Sequence, residues 1–495
     1  MALDLDVAPV RSFPADRFHE QFPAYADTSA LDAIRATDFA RLDAQKAVYL
    51  DFTGAGLHAA SHVRDHNEQL ANNVFGNPHS ASPSSSASTA AVERTRARVL
   101  DYFNGTGAYT CVFTLNASNA LKLVGEAYPF APGGRYLLTA DNHNSVNGIR
   151  EFAQGKGAQI DYAALTVPEL RIDQPKLVAQ LDAGGDAPKL FAFPAQSNFS
   201  GVKHPLSLIE TAHERGWHVL LDAAAFVPTN RLDLKAVSPD FVVISFYKMF
   251  GYPTGVGCLL IRKEALPLLK RPWFAGGTVN FATVQGRQHV LTPGEAAFED
   301  GTLNFLAIPA VEMGLDRLER IGMDVIQTRI ACLTQWLLQR LLLLKHGNGR
   351  PMIRLYGPAT GEQRGGTITM NFYDPDGHLL DYRRIDELAG AEGISLRTGC
   401  FCNPGAGETA EGLTEEDMLA GAAEGLDMTL PRFVQVVSHR GKSAGAIRVS
   451  LGAVSNLADV ERFLDFAVGF RDQTALTLGA VVFDIENCRV IRDGG

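Results

Sequence analysis

Ser245-Phe246-Tyr247-Lys248-Met249-Phe250-Gly251-Tyr252-Pro253-Thr254-Gly255-Val256-Gly257 sets a lysine between two apolar runs. The run before it, residues 241–244, reads as a buried strand. The glycines after it read as a tight turn into a second apolar run, residues 258–261. A lysine between two core strands is badly placed as a structural residue, because burying an ammonium is costly unless it is paired or neutralised. Two readings stand. In one, burial depresses the pKa of the amine and readies it for Schiff-base chemistry with a carbonyl group. In the other, the side chain snorkels from a strand end to water. This stretch by itself leaves them about level.

Outward from Lys248 the pattern alternates. Residues 109–114, 135–139, 190–194 and 218–221 are apolar runs of strand length, separated by helical patterns at 118–128, 146–154, 172–181 and 205–215. Such alternation predicts an α/β fold with a mostly parallel sheet covered by helices on both faces. Ligands in such sheets bind at the carboxyl ends of the strands, so four stretches carry weight. Thr114-Leu115-Asn116-Ala117-Ser118 joins a strand to a helix: small residues admit an anion to the free N–H groups of the helix start, or Asn116 or Ser118 is only an N-cap. Asp141-Asn142-His143-Asn144 follows a strand end, where the His143 imidazole either stacks on an aromatic ring or sits in a solvated loop. Gln196-Ser197-Asn198-Phe199-Ser200-Gly201 offers amides and hydroxyls suited to a carboxylate or phenolate oxygen. Asp222 ends an apolar strand ahead of Ala223-Ala224-Ala225, so its carboxylate needs a cationic or proton-donating partner. A protonated pyridine nitrogen is one such partner, and an N-cap is the bland alternative.

The chain has 495 residues, 46% of them hydrophobic and 20% charged, enough for a large core and two domains. A net charge of -10 argues against nucleic acid and anionic membrane as partners. No basic region followed by an apolar core opens the chain, and no apolar stretch reaches the roughly 20 residues of a membrane span. Residues 1–40 read as an N-terminal arm with little periodicity, and 48–51 as a strand running into Phe52-Thr53-Gly54-Ala55-Gly56. The small polar run 77–88 reads as a flexible loop ahead of a helix from Thr89 to Phe103. Residues 305–344 form a long helical pattern with a break near Gly322, bridging to a smaller domain. That domain is expected to hold strands at 367–372 and 447–451, a helix at 457–471, a late strand at 481–485, and an insertion at 405–443.

Six cysteines in so long a chain do not make a disulfide framework. Cys111, Cys258, Cys332 and Cys488 are scattered and read as core or near-core thiols, which fits a reducing cytoplasm. Cys400 and Cys402 stand together in Leu396-Arg397-Thr398-Gly399-Cys400-Phe401-Cys402-Asn403-Pro404-Gly405. A zinc site would need a matching Cys/His half, which is absent nearby. A redox pair and a thiolate nucleophile remain, and Arg397 nearby favours the thiolate.

Taken together, these residues resemble the class V aminotransferases, which depend on pyridoxal phosphate (PLP), and specifically their cysteine desulfurases. The motifs Ser-Phe-Tyr-Lys-x-Phe-Gly-x-Pro-Thr-Gly and Arg-Thr-Gly-Cys-Phe-Cys-Asn-Pro-Gly-Ala are most similar to the desulfurase domain of molybdenum cofactor sulfurases. The resemblance implies an α/β protein of the type I fold of PLP-dependent transferases: an arm (1–40) packing with the small domain, a large domain with a mostly parallel sheet (41–304), and a bridging helix with a smaller C-terminal α+β domain (305–495). It implies that Lys248 carries PLP, Asp222 pairs with its ring nitrogen, His143 stacks on the ring and Ala224 packs beneath it. Ala117, Ser118, Ser245 and Tyr247 would hold the phosphate. Thr302, in Phe298-Glu299-Asp300-Gly301-Thr302-Leu303-Asn304, would reach the phosphate of a partner subunit in a homodimer with shared sites.

The same resemblance makes Asn198, Arg448 and Arg397 substrate-binding residues and aligns Cys402, rather than Cys400, with the nucleophile. The implied activity is transfer of sulfur from L-cysteine to Cys402 with release of alanine, in a cytoplasmic enzyme without a metal. A lyase or aminotransferase acting on another amino acid is the rival. Three positions depart from the pattern: Ala225 stands where many desulfurases carry a glutamine on the PLP phenolate, Tyr247 where they carry a histidine, and Gly407 where the sulfurase motif has a cysteine. The sulfurases carry a further domain that receives the persulfide, for which these 495 residues leave no room. The acceptor is therefore expected to be a separate protein or a small molecule.

Overall fold

Seven strands make the central sheet of the structure, a computed structural model that describes residues 15–422, 443–474, 482–484 and 489–491. They are β1 (Tyr109–Thr114), β2 (Arg135–Thr139), β3 (Gln159–Ala163), β4 (Lys189–Pro194), β5 (His218–Asp222), β6 (Phe241–Ser245) and β7 (Gly257–Arg262). Their order is β1-β7-β6-β5-β4-β2-β3. Neighbours are parallel except where β7 runs against β1 and β6, so the sheet is mostly parallel, as expected. β1, β4 and β6 are buried along their whole length, which is why they read as unbroken apolar runs. Alternate side chains serve two cores: Phe191, Phe193, Val242 and Ile244 face one, while Leu190, Ala192, Phe241 and Val243 face the other.

One local expectation fails. The helix expected from Thr89 begins at Pro83 and runs to Tyr102. Ser82 caps it and Pro83 occupies its first turn, where a missing N–H costs nothing. The serines that read as loop are satisfied within the helix and by the preceding chain: the Ser88 hydroxyl donates to the Gly76 carbonyl at 2.6 Å and the Thr89 hydroxyl to the Ser85 carbonyl at 3.1 Å.

The turn after β6 is a short helix, Phe246–Phe250, and Lys248 lies on it. Gly251 ends it in the left-handed region, φ 77°, pressed against the backbone of Leu57 and His58 where a Cβ would collide. The loop from Asp51 to Leu57 is thereby seated against the lysine turn, and the Gly56 N–H donates to the Tyr247 carbonyl at 3.1 Å.

The bridging pattern is two helices, Pro309–Ile321 and Met323–Leu343, broken at Gly322 as expected. Beyond them lies an antiparallel sheet of β8 (Ile353–Tyr356), β9 (Thr367–Phe372), β10 (Arg397–Gly399) and β11 (Ala446–Ser450), in the order β8-β9-β11-β10. The strand Val48–Tyr49 pairs with Ile394–Ser395 and Asp51 bridges to Ser450, so this stretch is tied to the small sheet. Arm residues Phe18 and Tyr25 share a core with Leu333, Trp336 and Phe463. The buried Arg329 guanidinium binds both oxygens of Asp32, at 2.6 and 2.7 Å. The late strand is present as Val482–Asp484, paired with Arg489–Ile491. Of the expected insertion, helices Pro404–Glu411 and Glu415–Ala422 follow the cysteine loop; residues 423–442 and Cys488 lie outside the described residues. Cys111, Cys258 and Cys332 are buried.

Candidate active site

The carboxyl ends of β1, β2, β4, β5 and β6 converge on one cleft of about 630 Å³. Ala117, Ser118, His143, Asn198, Asp222, Ala224, Ser245, Tyr247 and Lys248 all line it, together with Asn116, Ser145, Gln196 and Ala225. The sheet explains the convergence, since each residue is the last of its strand or follows it by a few positions.

One end of the cleft is built for an anion. The helix Ala117–Ala127 starts there, with Asn116 extended and its side chain accepting from the Asn119 N–H at 3.0 Å. Asn116 is thus the N-cap that one sequence reading allowed. The Ala117 N–H donates to the Ser245 hydroxyl at 2.9 Å, which fastens the helix start to the end of β6. The Ser118 and Ser145 hydroxyls meet at 2.6 Å. The Ser118 N–H, the positive dipole potential of the helix start and these hydroxyls serve the same space.

The amine, carboxylate and imidazole occupy the rest. Burial lowers the Lys248 pKa below the usual lysine value, opposed by the attraction of Asp222 and reinforced by Arg448. The shift favours the neutral, nucleophilic form relative to an exposed lysine. The Asp222 carboxylate accepts from the Ala224 N–H at 3.0 Å. The His143 Nδ1 accepts from the Ser145 N–H at 3.1 Å, which leaves the ring proton on Nε2. Burial also lowers the His143 pKa, against the pull of Asp222.

Asp51, which sequence reading passed over, ties the second domain to this cleft. It is buried, accepts from Arg448 at 2.8 Å and from Arg397 at 2.6 Å, and so is the shared counter-charge of two arginines on adjacent strands. Arg448 also donates to the Asn198 carbonyl at 3.0 Å, while its buried Nε has no partner. Its guanidinium lies over the Phe401 ring, 4.8 Å from the centroid.

The cysteine loop is held in a strained form. Phe401 and Cys402 both have φ 54°, a conformation side chains with a Cβ rarely adopt. Hydrogen bonds hold it from three directions. The Cys402 carbonyl accepts from the Asn144 N–H at 2.7 Å, the Phe401 carbonyl from the Asn198 amide at 2.8 Å, and Asn403 donates to the Asp141 carbonyl at 2.7 Å and to the Asn198 side chain at 2.8 Å. Asn198, expected to bind substrate, uses its side chain to grip this loop. Cys402 is exposed and lies in electrostatic reach of Lys248 and Arg448. Cys400 lines a different, apolar cavity beside Phe199 and Pro404. Arg397 is committed to Asp51.

Thr302 is exposed and lines a separate cavity with Thr114 and Leu115, so a single chain does not bring it to the cleft. The segment before it is anchored by Glu299, which binds Arg96 at 2.7 Å and accepts from the Phe113 N–H at 2.8 Å. Asp51, Gln196, Asn403 and Asn144 were not singled out by sequence. Only the amide-rich run after β4 hinted at Gln196.

The family model for class-V aminotransferases matches residues 48–463. The chain belongs to that family. Among the class-V aminotransferases it is 38% identical over 487 residues to a molybdenum cofactor sulfurase of Solanum lycopersicum and 37% over 469 residues to that of Homo sapiens. These alignments cover 91% and 89% of this chain but 59% and 51% of the relatives, so the chain spans little more than half their length. An apo cysteine desulfurase from Thermococcus onnurineus superposes with a TM-score of 0.73 at 22% identity, covering 89% of this chain and 97% of that one. A cysteine desulfurase from Escherichia coli gives 0.65 at 18%, covering 93% and 100%. The fold is the type I fold of PLP enzymes. PLP is the cofactor of this class-V chain, and the cleft holds groups that would fit it: an amine, a carboxylate, an imidazole and a helix N-terminus around one space.

Proposed function

We propose that the chain is a cysteine desulfurase of the molybdenum cofactor sulfurase type, moving sulfur from L-cysteine to Cys402 and releasing L-alanine. The observation that carries this reading is Cys402 itself, on a strained loop gripped by Asn198 of the cleft wall and within electrostatic reach of Lys248 and Arg448.

Bound PLP supplies an electron sink conjugated with the substrate α-carbon. Lys248 carries it and, once displaced by substrate, moves the α-proton, a task suited to an amine whose pKa burial has lowered. Asp222 would pair with the ring nitrogen and keep its positive charge, and His143 and Ala224 would pack against the ring. Ala117, Ser118, Ser245 and Tyr247 hold the phosphate. Arg448 would bind the substrate carboxylate, and Asp51 keeps its guanidinium in place. Arg397 acts through the same carboxylate, and Asn198 orients the loop.

The Cys402 thiolate then attacks the substrate sulfur. A sulfur–sulfur bond forms and the carbon–sulfur bond breaks. Its electron pair ends on the substrate Cβ, which takes a proton and becomes the methyl of alanine, so the thiol is oxidised to a persulfide as Cβ is reduced. The persulfide passes to an acceptor, a protein or a small molecule.

The same reading places two copies together in the cytoplasm. Gly276 and Gly301 are hydrogen-bonded at 2.9 Å, so Thr302 lies at the root of the segment that carries Trp273, Phe274, Phe281 and Val290, all exposed. An exposed apolar set of this kind supports a homodimer in which Thr302 reaches the partner's phosphate. Among the described residues no helix is long and apolar enough to cross a membrane.

Incubation with L-cysteine should yield alanine and a labelled persulfide on Cys402. Cys402→Ser should retain the PLP absorbance and lose both products. Full turnover by Cys402→Ser would replace this reading with a lyase or aminotransferase. Absence of any PLP absorbance that Lys248→Ala removes would end the enzyme reading.

A further inference from the structure

Three residues, Gln196, Ala225 and Lys248, line both the cofactor cleft and the large apolar cavity behind it. They form the wall between the two, at the lysine end of the cleft. Ala225 presents only a methyl group there. Gln196 presents a carboxamide, and its side chain is almost wholly buried, 3% exposed.

The orientation of that carboxamide is fixed by its neighbours. Asn230 donates to the Phe226 carbonyl and the Thr229 hydroxyl, each at 3.0 Å, and its own oxygen accepts from Lys203 at 3.4 Å. Its NH2 group therefore also meets Gln196 Oε1, at 3.3 Å. Gln196 Oε1 is thus the acceptor of the pair, and its Nε2, with two protons to give, has no acceptor among the described residues. Gly365 completes the seat, since a Cβ there would collide with the Gln196 carboxamide. Nε2 is not sealed within the protein, and Gln196 lines the cleft, so a ligand there can accept from it.

We infer that Gln196 donates a hydrogen bond to the ring oxygen of PLP, supplying from the end of β4 the amide that position 225 lacks. The inference rests on the cofactor assignment above. The chemistry selects the acceptor: the oxygen beside the carbon bonded to lysine is the acceptor at the lysine end, whereas the ring nitrogen faces Asp222 and the phosphate faces Ser118. A donor on that oxygen draws electron density from it and weakens its hold on the proton shared with the lysine-derived nitrogen. The visible chromophore therefore loses its proton at lower pH than it would without the donor.

The test is a pH titration of the absorbance of purified holo-protein without substrate. Gln196→Leu should bind PLP through Lys248 and shift the midpoint upward by about one pH unit, the size expected for losing a hydrogen bond to a charged acceptor. Gly365→Ala, which displaces the carboxamide without removing it, should shift the midpoint in the same direction, and serves if the leucine variant does not fold. Gln196→Leu combined with Ala225→Gln should return it toward the parent value. An unchanged midpoint in variants with full PLP content overturns the inference. So does an unchanged midpoint with a raised KM for L-cysteine, which would assign the amide to the substrate carboxylate. A parent protein with no Lys248-dependent absorbance removes the cofactor assignment itself, a result read before any Gln196 variant is made.

Discussion

Replacing Asn403 with alanine tests whether the cysteine loop is presented by hydrogen bonds or by packing. Asn403 is fully buried and does three things: it donates to the Asp141 carbonyl, donates to the Asn198 side chain, and caps the helix Pro404–Glu411 by accepting from the Ala406 N–H at 3.3 Å. Two residues just ahead of it, Phe401 and Cys402, sit in the left-handed region, at roughly 1–2 kcal/mol each. Losing two hydrogen bonds at about 1 kcal/mol each and a cap at about 1 kcal/mol removes roughly 3 kcal/mol from the presented form. That is comparable to the strain it opposes, so the loop relaxes. At 1.4 kcal/mol per factor of ten, persulfide formation on Cys402 should fall about 100-fold, with PLP content and chromophore unchanged. Asn403→Ser separates positioning from capping. It keeps a cap oxygen but loses the amide donors, so it should be nearly as slow as the alanine variant while unfolding closer to the parent. Single-turnover labelling of the persulfide with L-cysteine measures the rate. A loss of less than fivefold in Asn403→Ala would refute the clamp and leave the Phe401 ring, packed on Phe199 and Arg448, as what holds the loop.

Asp51→Asn leaves the buried Arg448 without its counter-charge, and should cost about 3 kcal/mol in denaturant unfolding while raising the KM for L-cysteine more than it lowers PLP content. In apo-protein, capture of PLP needs the neutral Lys248 amine. Burial lowers that pKa and Asp222 opposes the shift, so the capture rate should rise with pH through a midpoint below the usual lysine range, and Asp222→Asn should move the midpoint lower; a midpoint near that of an exposed lysine refutes this. Gly251→Ala forces a Cβ into the Leu57–His58 backbone at φ 77°; a loss of about 2 kcal/mol or more is expected from unfolding curves, together with weaker PLP retention because the Lys248 turn shifts.

What sequence could show about this molecule follows from how local each signal is. Lys248, Asp222, His143 and the Ala117–Ser118 turn all stand at the ends of apolar strands, so a pattern only a few residues long marks both the strand and the residue that leaves it. The parallel sheet then brings them together without further information. The polar run 77–88 misled because composition cannot show that Ser88 and Thr89 find backbone acceptors inside a helix. The partners of Arg448 were equally hidden: Asp51 lies 397 residues away and meets it only after the chain has threaded two domains. Asn198 illustrates the same limit. Its position was legible at the end of β4, but its task depends on Phe401 and Asn403, some 200 residues later.

That division has a chemical consequence. The residues legible from strand ends are those proposed to hold PLP, and a cofactor held this way serves lyases, aminotransferases and desulfurases alike. Choice of reaction depends on contacts that join the large sheet to the small domain. In the proposed reaction the Asp51–Arg448–Asn198 chain would set the substrate carboxylate and the Asn198–Asn403–Asp141 chain would set Cys402. Asn198 belongs to both, its backbone carbonyl accepting from Arg448 while its side chain grips the loop. On the proposed reading, a displacement of Asn198 would therefore disturb the carboxylate site and the nucleophile together, and so would impair sulfur transfer more than cofactor binding.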